Sequence, residues 1–145
     1  MFTHILLPTD GSALSEVAIR KGVQLARSIG ARVSGVTVVP ERKIYLYQTG
    51  VIVQSREETI REHKPGITRI LETIDQAARA EGVSSETFFE VSDYPYEAIV
   101  KAAELRKCDL IVMASHGRRG ISGVLLGSET QKVLTHSKVP VLVVR

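Results

Sequence analysis

The sequence predicts an α/β fold, a doubly wound parallel sheet, and three observations carry the prediction. Short apolar runs alternate with stretches of helical spacing along the whole chain. The run Leu110, Ile111, Val112, Met113 is apolar on both faces, which is how a strand covered by helices on both sides reads. The first two runs end at turn formers, Pro8-Thr9-Asp10-Gly11 and Pro40. With 145 residues, 43% hydrophobic and 24% charged, residues 1–145 have the size and composition of a single domain that buries its own core.

Phe2 to Pro8 contains Ile5, Leu6 and Leu7 and is the first strand. Ser12 caps a helix in which Leu14, Val17, Ala18, Val23, Leu25, Ala26 and Ile29 follow helical spacing until Gly30 stops it. Val33, Val36, Val38 and Val39 then form a β-branched strand ended by Pro40, so residues 1–40 read as a parallel βαβ unit. Residues 41–54 show neither period. Their Tyr45, Tyr47 and Gly50 mark an exposed loop, mobile or recruited to a ligand. A helical pattern runs from Ser55 to Ala80 through Ile60, Ile67, Ile70, Leu71, Ile74 and Ala78, and Gly82 ends it. Pro65, followed by Gly66, removes a backbone donor and predicts a kink or two helical pieces. Thr87 to Val91 is a short strand, and Pro95 opens a helix over Glu97 to Arg106. Asp109 to Ala114 is the central strand, a helix runs from Gly127 or Ser128 to His136, and Val139 to Val144 is the terminal strand. Five strands alternating with helical segments build a doubly wound sheet with helices on both faces. Its ligand crevice lies outside the carboxyl ends of the strands, at the topological switch point.

Composition narrows the function. The net charge is +3, but the 19 basic residues are dispersed among 16 acidic ones, and aromatics make up only 5% with no Trp, so a nucleic-acid partner is not expected. Cys108 stands alone, which excludes an internal disulfide or a cysteine metal cage and reads as a small packing residue. No apolar run reaches the roughly 18 residues of a membrane span and the start lacks a signal pattern, so a cytoplasmic protein with no membrane contact is expected. His4, His63, His116 and His136 show no metal-binding spacing. Neither G-x-G-x-x-G nor a Walker loop occurs, and Gly120 to Gly123 around Ser122 is one residue short of a nucleophile elbow. No catalytic residue stands out, so at most a very slow ATPase is expected.

Two post-strand segments open on the predicted crevice: Pro8 to Gly11, and Ser115 to Thr130. In the second, Gly117, Gly120, Gly123 and Gly127 lead into a helix beginning Ser128, Glu129, Thr130. A helix N-terminus offers free N–H groups and a positive dipole end, so a glycine loop entering it suits a phosphate. The same glycines equally serve tight turns with Ser128 as a plain N-cap, and Glu129 repels phosphate unless it points away. Asp10 suits ribose hydroxyls and equally suits a turn or N-cap. Arg118 and Arg119 reach phosphate or stay solvated.

ILLPTDGS (5–12), DLIVMASHG (109–117), LLGSET (125–130) and PVLVV (140–144) together resemble the universal stress protein family over the whole chain. The spacing Gly117, nine residues, Gly127, Ser128 matches the second half of the nucleotide-binding motif of that family, whose first glycine is replaced here by Ala114. The resemblance implies an adenine nucleotide α-hydrolase-like sheet of order 3-2-1-4-5, a homodimer through the terminal strand Val139 to Val144, and a stress-responsive sensor or regulator that binds ATP. Pro8, Thr9 and Asp10 would line adenine and ribose, with Val38 offering backbone hydrogen bonds to the base. Met113 and Ala114 would pack by the ribose. Gly117, Gly127, Ser128, Glu129 and Thr130 would surround the phosphates, with magnesium held through them. The alternative is a dimeric interaction or chaperone-like protein without nucleotide.

Overall fold

Residues 1–40 form the expected strand, helix, strand unit: β1 (His4–Pro8), α1 (Ala13–Ile29) and β2 (Arg32–Val39). The computed structural model describes residues 1–41, 44–118 and 126–145. The Ser12 side chain accepts from Ser15 N at the start of α1, and Gly30, at φ 70°, turns its N–H back to the Ala26 and Arg27 carbonyls at the end.

The next segment differs from its reading as a loop. Residues Ile44–Tyr47 (β3) and Gly50–Val53 (β4) pair antiparallel as a separate two-stranded ribbon. Its apolar residues do not alternate with polar ones because both faces are exposed, so the period of a half-buried strand never arises.

Of the kink or two helical pieces expected at Pro65, the two pieces are absent. One helix, α2 (Arg56–Ala80), runs through it. Arg61, whose carbonyl loses its helical partner to the missing N–H, and Pro65 are both exposed, so that side of the helix is open to water. Ser55 and Glu58 close a capping box at its start, and Ile67, Ile74 and Ala78 bury one stripe.

The chain continues through β5 (Ser85–Val91), α3 (Pro95–Leu105), β6 (Leu110–Ala114), α4 (Ser128–His136) and β7 (Val141–Val144). The main sheet is parallel throughout, in the order β5-β2-β1-β6-β7; counted by its own five strands, this is 3-2-1-4-5. Successive residues of β1 face opposite sides. Ile5 and Leu7 join Ile19 and Val23 of α1 and Ile74 of α2, whereas Leu6 joins Ile99 of α3 and Val133 of α4. Helices therefore cover both faces. Cys108 is buried as expected, and burial pushes its thiol up to about 11.

Candidate functional site

The chain leaves β1 toward the face that holds α1 and leaves the neighbouring β6 toward the face that holds α4. That divergence opens a crevice beyond their carboxyl ends. The strand β2 extends past β1 on its other side. Val36 accepts from Thr9 N at 2.9 Å, so its peptide groups face β1. Val38 lies two residues on, so its N–H and C=O face the same way, beyond the last paired residue Pro8. They point into the crevice, where a base edge can meet them.

Below Val38, the turn after β1 is held by hydroxyls. Thr9 is buried, its Oγ1 lies 3.0 Å from Ser15 Oγ, and it accepts from Gly11 N. Asp10 Oδ1 accepts from Ser12 N at 2.9 Å, the turn role open to it from sequence. Asp10 Oδ2 accepts from Arg118 N at 2.8 Å, across 108 residues of chain. The carboxylate thus ties the two crevice loops together, and its remaining lone pairs can still accept hydroxyls. Burial raises the Asp10 pKa, but hydrogen bonds from Ser12 and Arg118 outweigh it and hold the carboxyl below its usual range. Gly117 is needed for this tie, since a Cβ there would overlap Asp10 Oδ2. The arginine contribution visible at this tie is a backbone N–H, with Arg118 Nη2 lying over Gly11.

The other wall is the entry to α4. The N-cap is Gly127, not Ser128, and no side chain caps the helix. Its first N–H groups, on Ser128, Glu129 and Thr130, are donors for a ligand. Gly127 N donates to Ser115 O at 2.7 Å, and a Cβ on Gly127 would stand 3.0 Å from His116 Cα. A side chain there would require the end of β6 or the helix start to give by a few tenths of an ångström.

The side chains of Glu129, Thr130 and Met113 are engaged elsewhere. Glu129 accepts from Tyr96 N at 2.9 Å and pairs with Lys132 at 3.2 Å, so its charge points to the start of α3 and away from the crevice. Thr130 is buried and its hydroxyl donates to the Ala114 carbonyl at 3.0 Å. Met113 packs in the core beside α3 and α4. Ala114 is extended within β6; among the described residues, Lys107 is the one non-glycine at positive φ. Arg119, Gly120, Ser122, Gly123 and Leu125 lie outside the described residues. Ser12, which the sequence marked only as a helix cap, supports Asp10, and Ser15, which the sequence reading did not single out, supports Thr9. Among the described residues no group of three or more His, Cys, Asp or Glu is placed to hold a metal ion. Two surface grooves of about 430 and 440 Å³ lie away from the crevice, one between α2 and β5 and one against Phe2, Leu25 and Leu110.

The sequence profile of the universal stress protein family matches residues 1–145. The chain belongs to that family. It is 33% identical over 150 residues to the universal stress protein YxiE of Bacillus subtilis, covering 100% of both chains. It is 32% identical over 157 residues to the universal stress protein MJ0577 of Methanocaldococcus jannaschii, covering 100% of this chain and 96% of that one. A universal stress protein solved in complex with cAMP superposes with a TM-score of 0.72 at 28% identity, over 99% of this chain and 97% of that one. The doubly wound sheet is thus the universal stress protein fold. Among the described residues, no helix is long and apolar enough to cross a membrane.

Proposed function

We propose that this universal stress protein binds ATP in the crevice between the ends of β1 and β6 and acts in the cytoplasm as a stress-response sensor or regulator. One arrangement carries the reading. The free peptide edge of Val38 and the uncapped start of α4 face one crevice, whose two loops are tied by Asp10 and Arg118. Adenine fits the Val38 edge beside Pro8 and Thr9, ribose hydroxyls fit Asp10, and phosphates fit Gly117, Gly127 and the N–H groups of Ser128 to Thr130. Magnesium is held through the phosphates. The related protein in complex with cAMP supports an adenine nucleotide. Ala114 is compatible with this reading, because its extended backbone needs no glycine. The protein pairs with a second copy along β7, whose outer edge is unpaired among the described residues.

Calorimetric titration with ATP and magnesium tests the reading. Saturable binding is expected, and Asp10→Asn is expected to weaken it about tenfold, as losing roughly one charge-assisted hydrogen bond would. No heat from folded protein at millimolar ATP overturns the proposal in favour of an interaction protein without nucleotide.

A further inference from the structure

The helix α4 begins with no side chain on its first N–H groups, and α3 begins in the same way, since its N-cap Tyr94 makes no side-chain hydrogen bond and Pro95 follows. The start of α3 is closed from outside. Tyr96 N, a first-turn donor, donates to Glu129 Oε2 at 2.9 Å, across 33 residues of chain. A carboxylate suits that place because it meets the positive end of the α3 dipole. Glu129, Lys132 and His136 follow one another along one side of α4. Lys132 pairs with Glu129 at 3.2 Å and its Nζ lies 5.5 Å from the centre of the Tyr96 ring, which itself lies 5.0 Å from the His136 ring. The first turn of α4 is therefore fastened on two sides. Gly127 N and the Thr130 hydroxyl hold it to the end of β6 through the Ser115 and Ala114 carbonyls, and Glu129 holds it to the start of α3.

We infer that Glu129 is a positioning residue for the nucleotide: by capping α3 it fixes the turn of α4 whose backbone N–H groups receive phosphate, and it keeps its own charge off those donors. The inference rests on the ATP reading of the crevice. A carboxylate in the first turn of a helix is drawn to the N–H groups of that turn and opposes an incoming anion. Here the α3 cap and Lys132 take up the charge, so the α4 donors stay open. Backbone donors cannot change rotamer to follow a ligand, so the placement of the whole turn sets how well they meet a phosphate.

Glu129→Gln and Glu129→Ala separate position from charge. Both remove the negative charge, and only glutamine keeps an oxygen for Tyr96 N. In titrations with magnesium present, Glu129→Ala is expected to bind ATP about tenfold more weakly than Glu129→Gln, as losing roughly one hydrogen bond at the turn would. Adenosine, which has no phosphate, is expected to bind the two variants equally. A cap that only supports the fold would lower the melting temperature of Glu129→Ala and leave the two ATP affinities equal, as would a carboxylate that acts by charge alone. In the unaltered chain, which needs no variant to fold, bound ATP is expected to slow hydrogen exchange of the Tyr96 N–H about tenfold, because coupling between two places is reciprocal. If the unaltered chain binds ATP, then equal ATP affinities of the two variants, a parallel loss for adenosine, or Tyr96 exchange that ATP leaves unchanged overturns the role of Glu129 and spares the ATP reading. An unaltered chain that binds no ATP overturns both.

Discussion

Asp10 shows how one side chain joins a turn role to a site role. Its two oxygens take N–H groups from Ser12 and Arg118, one next door and one from the far loop, so it ties the turn after β1 to the loop after β6. Gly117→Ala puts a methyl group on Oδ2 and forces the carboxylate aside. The expected result is a stability loss of about 1–3 kcal/mol, read by urea midpoint, together with at least tenfold weaker ATP binding. Unchanged values for both would mean that the tie does not hold the loops. His4 is the second telling residue. It is buried, its Nε2 lies 2.7 Å from Ser34 Oγ, which donates to Glu86, and its Nδ1 has no hydrogen-bond partner among the described residues. Burial, then the Arg32 charge, lowers its pKa below 6.5, against the opposing pull of Glu86 and Asp109. The unfolded chain therefore takes up this proton first. The contribution of neutral His4 is complete above about pH 6.5 and is lost as pH falls from there toward the lower folded value. Asp10, Glu86 and Asp109 are held below 3.8, 4.5 and 3.8, under this window. Thermal melts between pH 7.5 and 5.0 should show a fall in Tm that is smaller in His4→Gln; equal slopes would refute the assignment.

At the scale of elements, the helices were legible where their ends carry chemistry. Ser12 and Gly30 mark α1, and Ser55 with Glu58 marks the start of α2. That α2 runs on as one helix rather than two pieces is a matter of surroundings. Pro65 does remove a hydrogen bond, but on the solvent side of a helix whose other side is held to the core by Ile67, Ile74 and Ala78. Tertiary packing outweighs the local cost of about 3 kcal/mol. Pro65→Ala restores the bond and gives back some freedom to the unfolded chain, so a net gain of about 2 kcal/mol is expected in urea unfolding. A loss would show that the ring itself packs on something. The ribbon β3–β4 was illegible for the opposite reason. With both faces exposed, its sequence has no inside and outside to alternate between.

For the whole molecule, sheet topology decides which edges and peptide groups remain open. Pro140 and Val144 carbonyls accept from β6, so the peptide groups of Val141 and Val143 face outward. Proline at Val143 removes an outward donor without touching the β6 pairing. If copies pair along β7, Val143→Pro should weaken that contact at least tenfold by sedimentation while leaving the melting curve of the single chain nearly unchanged. An unaltered association would move the contact elsewhere. The sequence by itself determined the α/β class, the strand and helix order outside residues 41–54, the family and the two loops that face each other, because apolar period, caps and turn residues are local. Tertiary structure decided what depends on partners distant in the chain. It tied Asp10 to Arg118, turned Glu129 toward Tyr96, sent the Thr130 hydroxyl to Ala114 and left Val38 past the end of β1. Each of these is set by how far neighbouring strands extend and which way the chain leaves them, and no local spacing encodes that.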